Sequence, residues 1–290
     1  MTTFIQYFST GLLVGGIYAL IALGLVLIYK SSSVFNFAQG DLVMLGGFVM
    51  WTLLSEYNLP LWVALPIALA VAWVAGLLVE RLALRPLIGQ PILSTVMITL
   101  ALSYFLKGFC ILLWSANRKI FPELIPTTPI MMGDVILSQQ LLWSFGVSLA
   151  AFAILAVFFQ RSRSGLLMRS TAEDHQVAQS MGISVKHIFA LTWSIAAMVA
   201  TLGGLLLGSI NGVDPTLGII GMKAFPAVLV GGLDSVPGAL VGGLIVGIVE
   251  GLTAGFIDPA LAEIAPFIVL LLILVIKPDG LFGLKRIERV

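Results

Sequence analysis

The sequence predicts an all-α, polytopic bundle of transmembrane helices with about eight to nine crossings, one of them a broken segment. Three observations carry that prediction. Apolar residues make up 59% of the 290 and charged residues 10%, against roughly 45–50% and about 25% in soluble domains. Mean hydropathy is +1.10. The apolar residues are gathered into runs near the length a membrane helix needs, about 20 residues with a usual range of roughly 17–25. A soluble chain of this size could not keep its surface wetted with so few charges.

The runs, in order, are Tyr7–Tyr29, Leu42–Glu56, Leu61–Val79, Pro91–Leu113, Gln140–Phe159, Ile188–Ile210, Ala239–Phe256 and Leu261–Ile276. A ninth apolar piece, Met222–Gly232, is too short for a full helical crossing. The opening residues MTTFIQYFST hold no Lys or Arg, so they lack the positive segment that begins a cleavable signal peptide. The first run is therefore expected to stay in the mature chain. One membrane domain over residues 1–290 is expected, with one long polar loop at 161–188.

Basic residues orient the bundle. Lys30, Arg81, Arg85, Arg161, Arg163, Arg169, Lys186, Lys277, Lys285, Arg286 and Arg289 are eleven of the fifteen positive charges, and all fall on one side if the N-terminus starts outside. Arg118 and Lys119 fall on the other. The positive-inside rule then gives an outer N-terminus and a cytoplasmic C-terminus. That topology needs an odd number of crossings, so Met222–Gly232 is expected to supply the ninth as a tilted or broken segment. Irregular backbone at membrane depth is tolerated where protein or a water-filled cavity covers it, which puts that piece near a pathway.

Glycine spacing predicts a close helix contact. Gly243, Gly247, Gly251 and Gly255 recur at every fourth residue, and Gly11/Gly15 and Gly204/Gly208/Gly212 repeat the spacing. Small residues along one stripe let membrane helices approach closely, within the chain or with a second subunit.

Polar residues at membrane depth are costly and usually functional. Asn36, Gln39 and Asp41 follow the first run in a segment broken by Gly40. Asn211 and Asp214 follow the sixth run, with Pro215 and Lys223 nearby. Asp234 and Pro237 lie in the second broken segment, and Glu250 lies within the glycine ladder. Broken segments in the two halves of a transporter point to its pathway. Each residue also has a structural reading. Lys107 and Glu250 could pair, and Asp41 and Asp234 could cap the following helices, the more favoured role for Asp234.

Enzyme chemistry is excluded by pattern. The chain has no GxSxG elbow, HExxH pair or GxxxxGK[ST] phosphate loop. Its single Cys110 allows neither a disulfide framework nor a CxxC metal site, and a net charge of +1 gives no case for nucleic acid. An ATP-driven transporter of this sequence would need hydrolysis from another chain and an inner surface to receive force. The 161–188 loop suits that task. Thr171 is a plausible N-cap for a helix over Ala172–Met181, Gly182 is placed to end it, and Val177 and Met181 share one face with Ala178 beside them.

Several stretches resemble a known family. They are Ala172-Glu173-Asp174 with Ala178 and Gly182-Ile183, the run YALIALGLVLIYKSSSVFNFAQGDLVMLGGF from Tyr18, a looser GxxxPxxG pattern at Gly218–Ala227, GGLDSVPGALVGGLIVGIVE from Gly231, and PDGLFG at Pro278–Gly283. In order and spacing they are similar to branched-chain amino-acid ABC permeases of the LivH type. The resemblance implies that Ala172, Glu173, Asp174, Ala178, Gly182 and Ile183 form the loop that couples to an ATPase. It also implies half of a channel in a bacterial inner membrane, taking branched-chain amino acids from a periplasmic binding protein. A second homologous permease subunit and two ATP-binding subunits complete such an importer. The chain itself then needs no cofactor, with ATP and Mg on the partners. Where the family pattern has His and Glu, this chain has Gln39 and Asp41, so a pH-linked histidine cannot operate there. Urea or short-chain amide permeases of the same family, and an ion-coupled secondary transporter, are the alternative readings.

Overall fold

The computed structural model of the chain describes residues 1–124, 126, 128–132, 135–173 and 175–283. Helices α1 (Thr2–Ser32), α2 (Gln39–Trp51), α3 (Leu61–Val79) and α4 (Ile92–Trp114) lead to a hairpin of β1 (Pro129–Met132) and β2 (Val135–Ser138). Then come α5 (Gln139–Arg161), α6 (Arg163–Glu173), α7 (His175–Ser180), α8 (Val185–Asn211) and α9 (Leu217–Gly221). The chain closes with α10 (Ala224–Gly231), α11 (Val236–Phe256), α12 (Pro259–Ala262) and α13 (Ala265–Ile276).

By length and composition, six helical segments among the described residues can cross a membrane: Thr2–Ser32, Leu61–Leu87, Leu93–Trp114, Gln139–Arg161, Val185–Asn211 and Val236–Phe256. The other apolar runs take different forms. The run expected over Leu42–Glu56 begins earlier, at Gln39, and ends in a π-helical turn over Thr52–Glu56. Met222–Gly232 holds α10, preceded by α9, and Leu261–Ile276 is interrupted between α12 and α13. Of the basic residues that set the orientation, Lys285, Arg286 and Arg289 lie outside the described residues.

The first break is not where glycine suggested. Gly40 is helical, and the irregular stretch is Ser33–Ala38, entered through Ser33 at φ 54. The cause is local side-chain bonding. The Ser31 and Ser32 hydroxyls donate to the Leu27 and Ile28 carbonyls at 2.7 Å each, closing the end of α1. Asn36 Oδ1 accepts from the Ala38 amide at 3.0 Å and turns the chain into α2. Such bonds compete with helix continuation wherever Ser and Asn cluster.

The chain divides into two compact units. The first holds Met1–Val26, Ile125–Ala150 and Lys223–Val290. Within it α1 and α11 run antiparallel in direct backbone contact. A Cβ on Gly15 would sit 2.8 Å from the Gly243 carbonyl oxygen, and one on Gly251 would sit 2.7 Å from that of Tyr7. Gly11 and Gly247 meet between these levels, and the Tyr7 ring covers Gly255. The Gln6 side chain holds the hairpin, donating to the Ile136 carbonyl at 2.5 Å and accepting from its amide at 2.8 Å.

The second unit holds Leu27–Leu124 and Ala151–Met222, with α8 at its centre against α2 and α3. Gly76 lets α3 reach the α8 backbone, where an added Cβ would lie 2.6 Å from the Ser194 Cα. The Ser194 hydroxyl donates to the Trp73 carbonyl at 3.1 Å across the same contact. Ile28, Leu84, Trp193 and Ala196 form a buried cluster beside it.

Candidate functional site

The polar segment after α1 is buried at membrane depth in the second unit. The Asn36 Nδ2 donates to Gln39 Oε1 at 3.0 Å. The Ser103 hydroxyl of α4 donates to the Asp41 carboxyl group, and Thr99, one turn away on α4, donates to the Phe35 carbonyl at 3.4 Å. The indole of Trp114, at the end of α4, donates to Thr52 at 2.6 Å, so α2 and α4 run side by side in the same direction. Ser103 is the central residue of α4. At about 1.5 Å per residue it lies roughly 16 Å from either end, near the middle of a hydrocarbon layer about 30 Å thick. The N-terminus of α2, with Asn36, Gln39 and Asp41, is therefore held at mid-depth.

Close backbone approach completes this arrangement. A Cβ on Gly218 would lie 2.9 Å from Asp41 Oδ1, and one on Gly221 would lie 3.1 Å from the Gly40 Cα. Small residues on both α2 and α9 thus bring the two short helices together. The Gln39 side chain is only 1% exposed, yet its Nε2 has no partner among the described residues. A buried amide left so costs about 1–3 kcal/mol. The first N–H groups of a helix are also without intrahelical partners and carry partial positive charge. The site therefore offers a donor, a positive helix end and the Asp41 carboxyl group, in a place where polarity is expensive.

The remaining predicted pathway residues do not join this group. Asn211 is exposed at the end of α8, its carbonyl accepting from Arg118. Asp214 accepts from the Thr216 amide at 2.7 Å and from its hydroxyl at 2.5 Å, which begins α9. Both lie beyond the end of α4, where Lys119 bridges to Val213. Asp234, in the first unit, does not cap α11. Ser235 does, its hydroxyl accepting from the Gly238 amide at 3.0 Å. Glu250 pairs with Lys223 at 2.5 Å rather than with Lys107, and the buried Tyr18 hydroxyl faces the same carboxylate. Lys107 instead acts electrostatically on Asp41.

The 161–188 loop differs from expectation in its first half. Helix α6 already begins at Arg163, so Thr171 lies inside it and donates to the Leu167 carbonyl at 2.8 Å instead of capping. Ala172 and Glu173 end α6, and Asp174 lies outside the described residues. Gly182, at φ +83, ends α7 in a Schellman arrangement. The Ile183 amide donates to the Ala178 carbonyl at 3.0 Å and the Gly182 amide to that of Gln179 at 3.0 Å. Ala178 is buried, while Val177 and Met181 are 55% and 78% exposed. An apolar pair thus stands open on a tightly ended turn.

Residues 7–275 match the family described as the permease component of branched-chain amino acid transport systems. The chain belongs to that permease family. It is 33% identical over 304 residues to the high-affinity branched-chain amino acid permease protein BraD of Pseudomonas aeruginosa, covering 99% of this chain and 98% of that one. It is 31% identical to LivH of Escherichia coli over 303 residues, with the same coverage. A probable LivH of Methanocaldococcus jannaschii is 28% identical, covering 93% of this chain and 90% of its own. Among solved structures, PsaBC from Streptococcus pneumoniae in complex with Fab is similar at a TM-score of 0.51 and 11% identity, over 96% of this chain and 94% of that one. At that identity the likeness concerns the fold alone.

The permease also carries buried polar residues that stand out only once the helices are placed. Thr95, Thr99, Ser103 and Lys107 recur every fourth residue along α4 and form the polar stripe that meets the start of α2. Ser144 and Ser148 on α5 are likewise one turn apart, buried and without hydrogen-bond partners among the described residues. The Lys223–Glu250 pair had no signal of its own, because its members are far apart in sequence.

Proposed function

We propose that this permease forms one half of the channel of an ATP-driven importer for branched-chain amino acids, and that cargo passes the start of α2. The observation that carries this reading is the buried, unpartnered Gln39 amide at mid-depth, next to a helix N-terminus and the Asp41 carboxyl group. A zwitterion needs donors for its carboxylate and acceptors for its ammonium, and broken helices with exposed N-termini supply them in transporters. The names of relatives 28–33% identical over at least 93% of the chain support the cargo class. In this reading the protein sits in the bacterial inner membrane with its N-terminus outside and C-terminus inside. A second permease subunit stands beside it, and a periplasmic binding protein delivers cargo.

Two ATP-binding subunits supply ATP and Mg and dock on the inner loop, where Val177 and Met181 present apolar surface beside Gly182. The permease is reconstituted in proteoliposomes with the ATPase and binding-protein partners of its own organism, and uptake of labelled leucine, isoleucine and valine is compared with urea and acetamide. ATP-dependent uptake of the three amino acids is expected. Uptake of urea or acetamide with none of the amino acids would overturn the cargo assignment. Uptake without ATP, driven by an ion gradient, would overturn the importer class.

A further inference from the structure

The second unit carries an apolar cleft of about 500 Å³ between α3, α5 and α8, apart from the polar site at α2. Trp73, Ile154, Phe158, Leu191 and Leu202 line it, and the polar side chain in its wall is Ser164, at the start of α6. Its length has physical meaning. From Leu191 to Leu202 the α8 axis rises roughly 16 Å at about 1.5 Å per residue, which is half of a hydrocarbon layer about 30 Å thick. The cleft thus runs from one membrane surface to the middle, the depth of a single leaflet.

Its surface end is basic. Ser164 directly follows Arg163 and lies three residues after Arg161, both arginines exposed and without a carboxylate partner among the described residues. Two further cations stand over the Phe159 ring close by: Lys30 at 5.7 Å and Arg169 at 5.5 Å from its centroid. By the bias of basic residues, this end faces the cytoplasm. Basic pockets between membrane helices on that side suit anionic lipid headgroups.

We propose that the cleft is a binding site for an anionic phospholipid of the inner leaflet. One acyl chain lies along α8 from Leu191 to Leu202, and the headgroup phosphate rests on Arg161 and Arg163 with the Ser164 hydroxyl beneath it. Depth, apolar lining and cationic rim each fit that occupant. A helix of a neighbouring subunit would account for the apolar wall but not for the charge at one end.

The test uses the permease purified with the subunits that co-purify, in nanodiscs of equal parts phosphatidylethanolamine and phosphatidylglycerol, with retained lipid read by native mass spectrometry. Wild type is expected to retain phosphatidylglycerol in preference. In the double variant Arg161→Gln/Arg163→Gln that preference should fall roughly thirtyfold, from two basic contacts at the usual strength of such contacts near an anionic surface. Both side chains are exposed, so the fold should tolerate their loss. Ala151→Phe, which fills the cleft, should lower retained lipid of both headgroups. Retained lipid matching the bulk mixture in wild type and double variant alike overturns the proposal. So does efficient disulfide crosslinking of Ile154→Cys to a neighbouring subunit in the assembled complex, because protein would then cover the cleft.

Discussion

Replacing Gly247 with Ala adds one methyl group to the contact between α1 and α11, and the structure gives the size of the effect. The new Cβ would fall 2.5 Å from the Gly15 nitrogen and against the Gly11 carbonyl oxygen, about 0.9 Å short of ordinary contact, which begins near 3.4 Å. Neither neighbour is the tip of a flexible side chain, so the helices must separate. A radial gap of about 0.5–1 Å forfeits a quarter to a half of each affected dispersion well, and overpacking of this kind costs roughly 1–3 kcal/mol. Backbone cannot swing aside, so the upper half of that range applies, roughly 2–3 kcal/mol; with about 1 kcal/mol of helix propensity regained by Ala, the net loss is roughly 1–2 kcal/mol. Thermal unfolding of the purified permease should then fall by roughly 2–8 °C, and Gly247→Leu should fall further and impair assembly. Gly108 is the internal control. It is helical, with nothing within 4 Å of an added Cβ, so Gly108→Ala should raise the midpoint by roughly 1–4 °C. A Gly247→Ala protein that melts with or above wild type would refute the close-contact reasoning, because the two alanines would then act alike.

Four further outcomes are expected. Lys223 and Glu250 pair with side chains only 12% and 19% exposed, so Glu250→Gln alone should cost about 3 kcal/mol and Lys223→Met/Glu250→Leu should recover most of it; equal melting of single and double variants would contradict a buried pair. Ser103→Ala leaves the Asp41 carboxyl group without its hydroxyl donor and should destabilise by about 1–3 kcal/mol, a loss that Ser103→Thr, measured in the same melt, should largely avoid. Gln39→Leu removes the unpartnered amide along with the bond from Asn36; uptake should collapse while the midpoint stays within about 2 °C, since the two effects offset, and undiminished uptake would remove Gln39 from the pathway. Gly182→Ala has open space but a φ of +83; the strain of about 1 kcal/mol should loosen the end of α7 and cut ATP-driven uptake without loss of insertion, and wild-type uptake would reduce the loop to a linker.

Much of the fold was legible because the bilayer makes sequence signals blunt. A helix that crosses the hydrocarbon layer must be apolar along its length whether lipid or other helices cover it, and α1, α4, α5 and α8 each lie within four residues of the runs that composition marked out, apart from α1's N-terminal end. The glycine ladder was legible for a related reason: a side chain of any size at Gly243 or Gly247 meets backbone, so the spacing records a helix contact. The breaks were less legible. Glycine at position 40 suggested an interruption, but in a crowded bundle glycine also serves close approach, and Gly40 does so against α9. The interruption came from Ser32 and Asn36, whose side-chain oxygens accept from the Val34 and Ala38 amides and so replace backbone partners that water would supply to a soluble loop. The 161–188 loop misled in the same way. Thr171 has the chemistry of a cap, but α6 had already begun at Arg163, and a threonine inside a helix turns its hydroxyl back to the preceding turn.

The polar site was half legible, and the missing half follows from how a spanning helix is built. Asn36, Gln39 and Asp41 stand out because three polar residues within six positions interrupt an apolar context. Their partners on α4 are single small hydroxyls spread one per turn, each of which could satisfy itself on its own helix, as Thr99 also does on the Val96 carbonyl at 2.9 Å. A spanning helix can therefore carry Thr95, Thr99, Ser103 and Lys107 without losing its apolar character, and no local pattern separates that stripe from ordinary membrane threonines and serines. Placement decides it. Once α2 starts at the level of Ser103, the stripe faces a helix N-terminus and a buried amide that its own neighbours leave unpartnered. Leaving that donor open costs stability, and the proposed passage of cargo past the start of α2 would supply the partner that its neighbours do not.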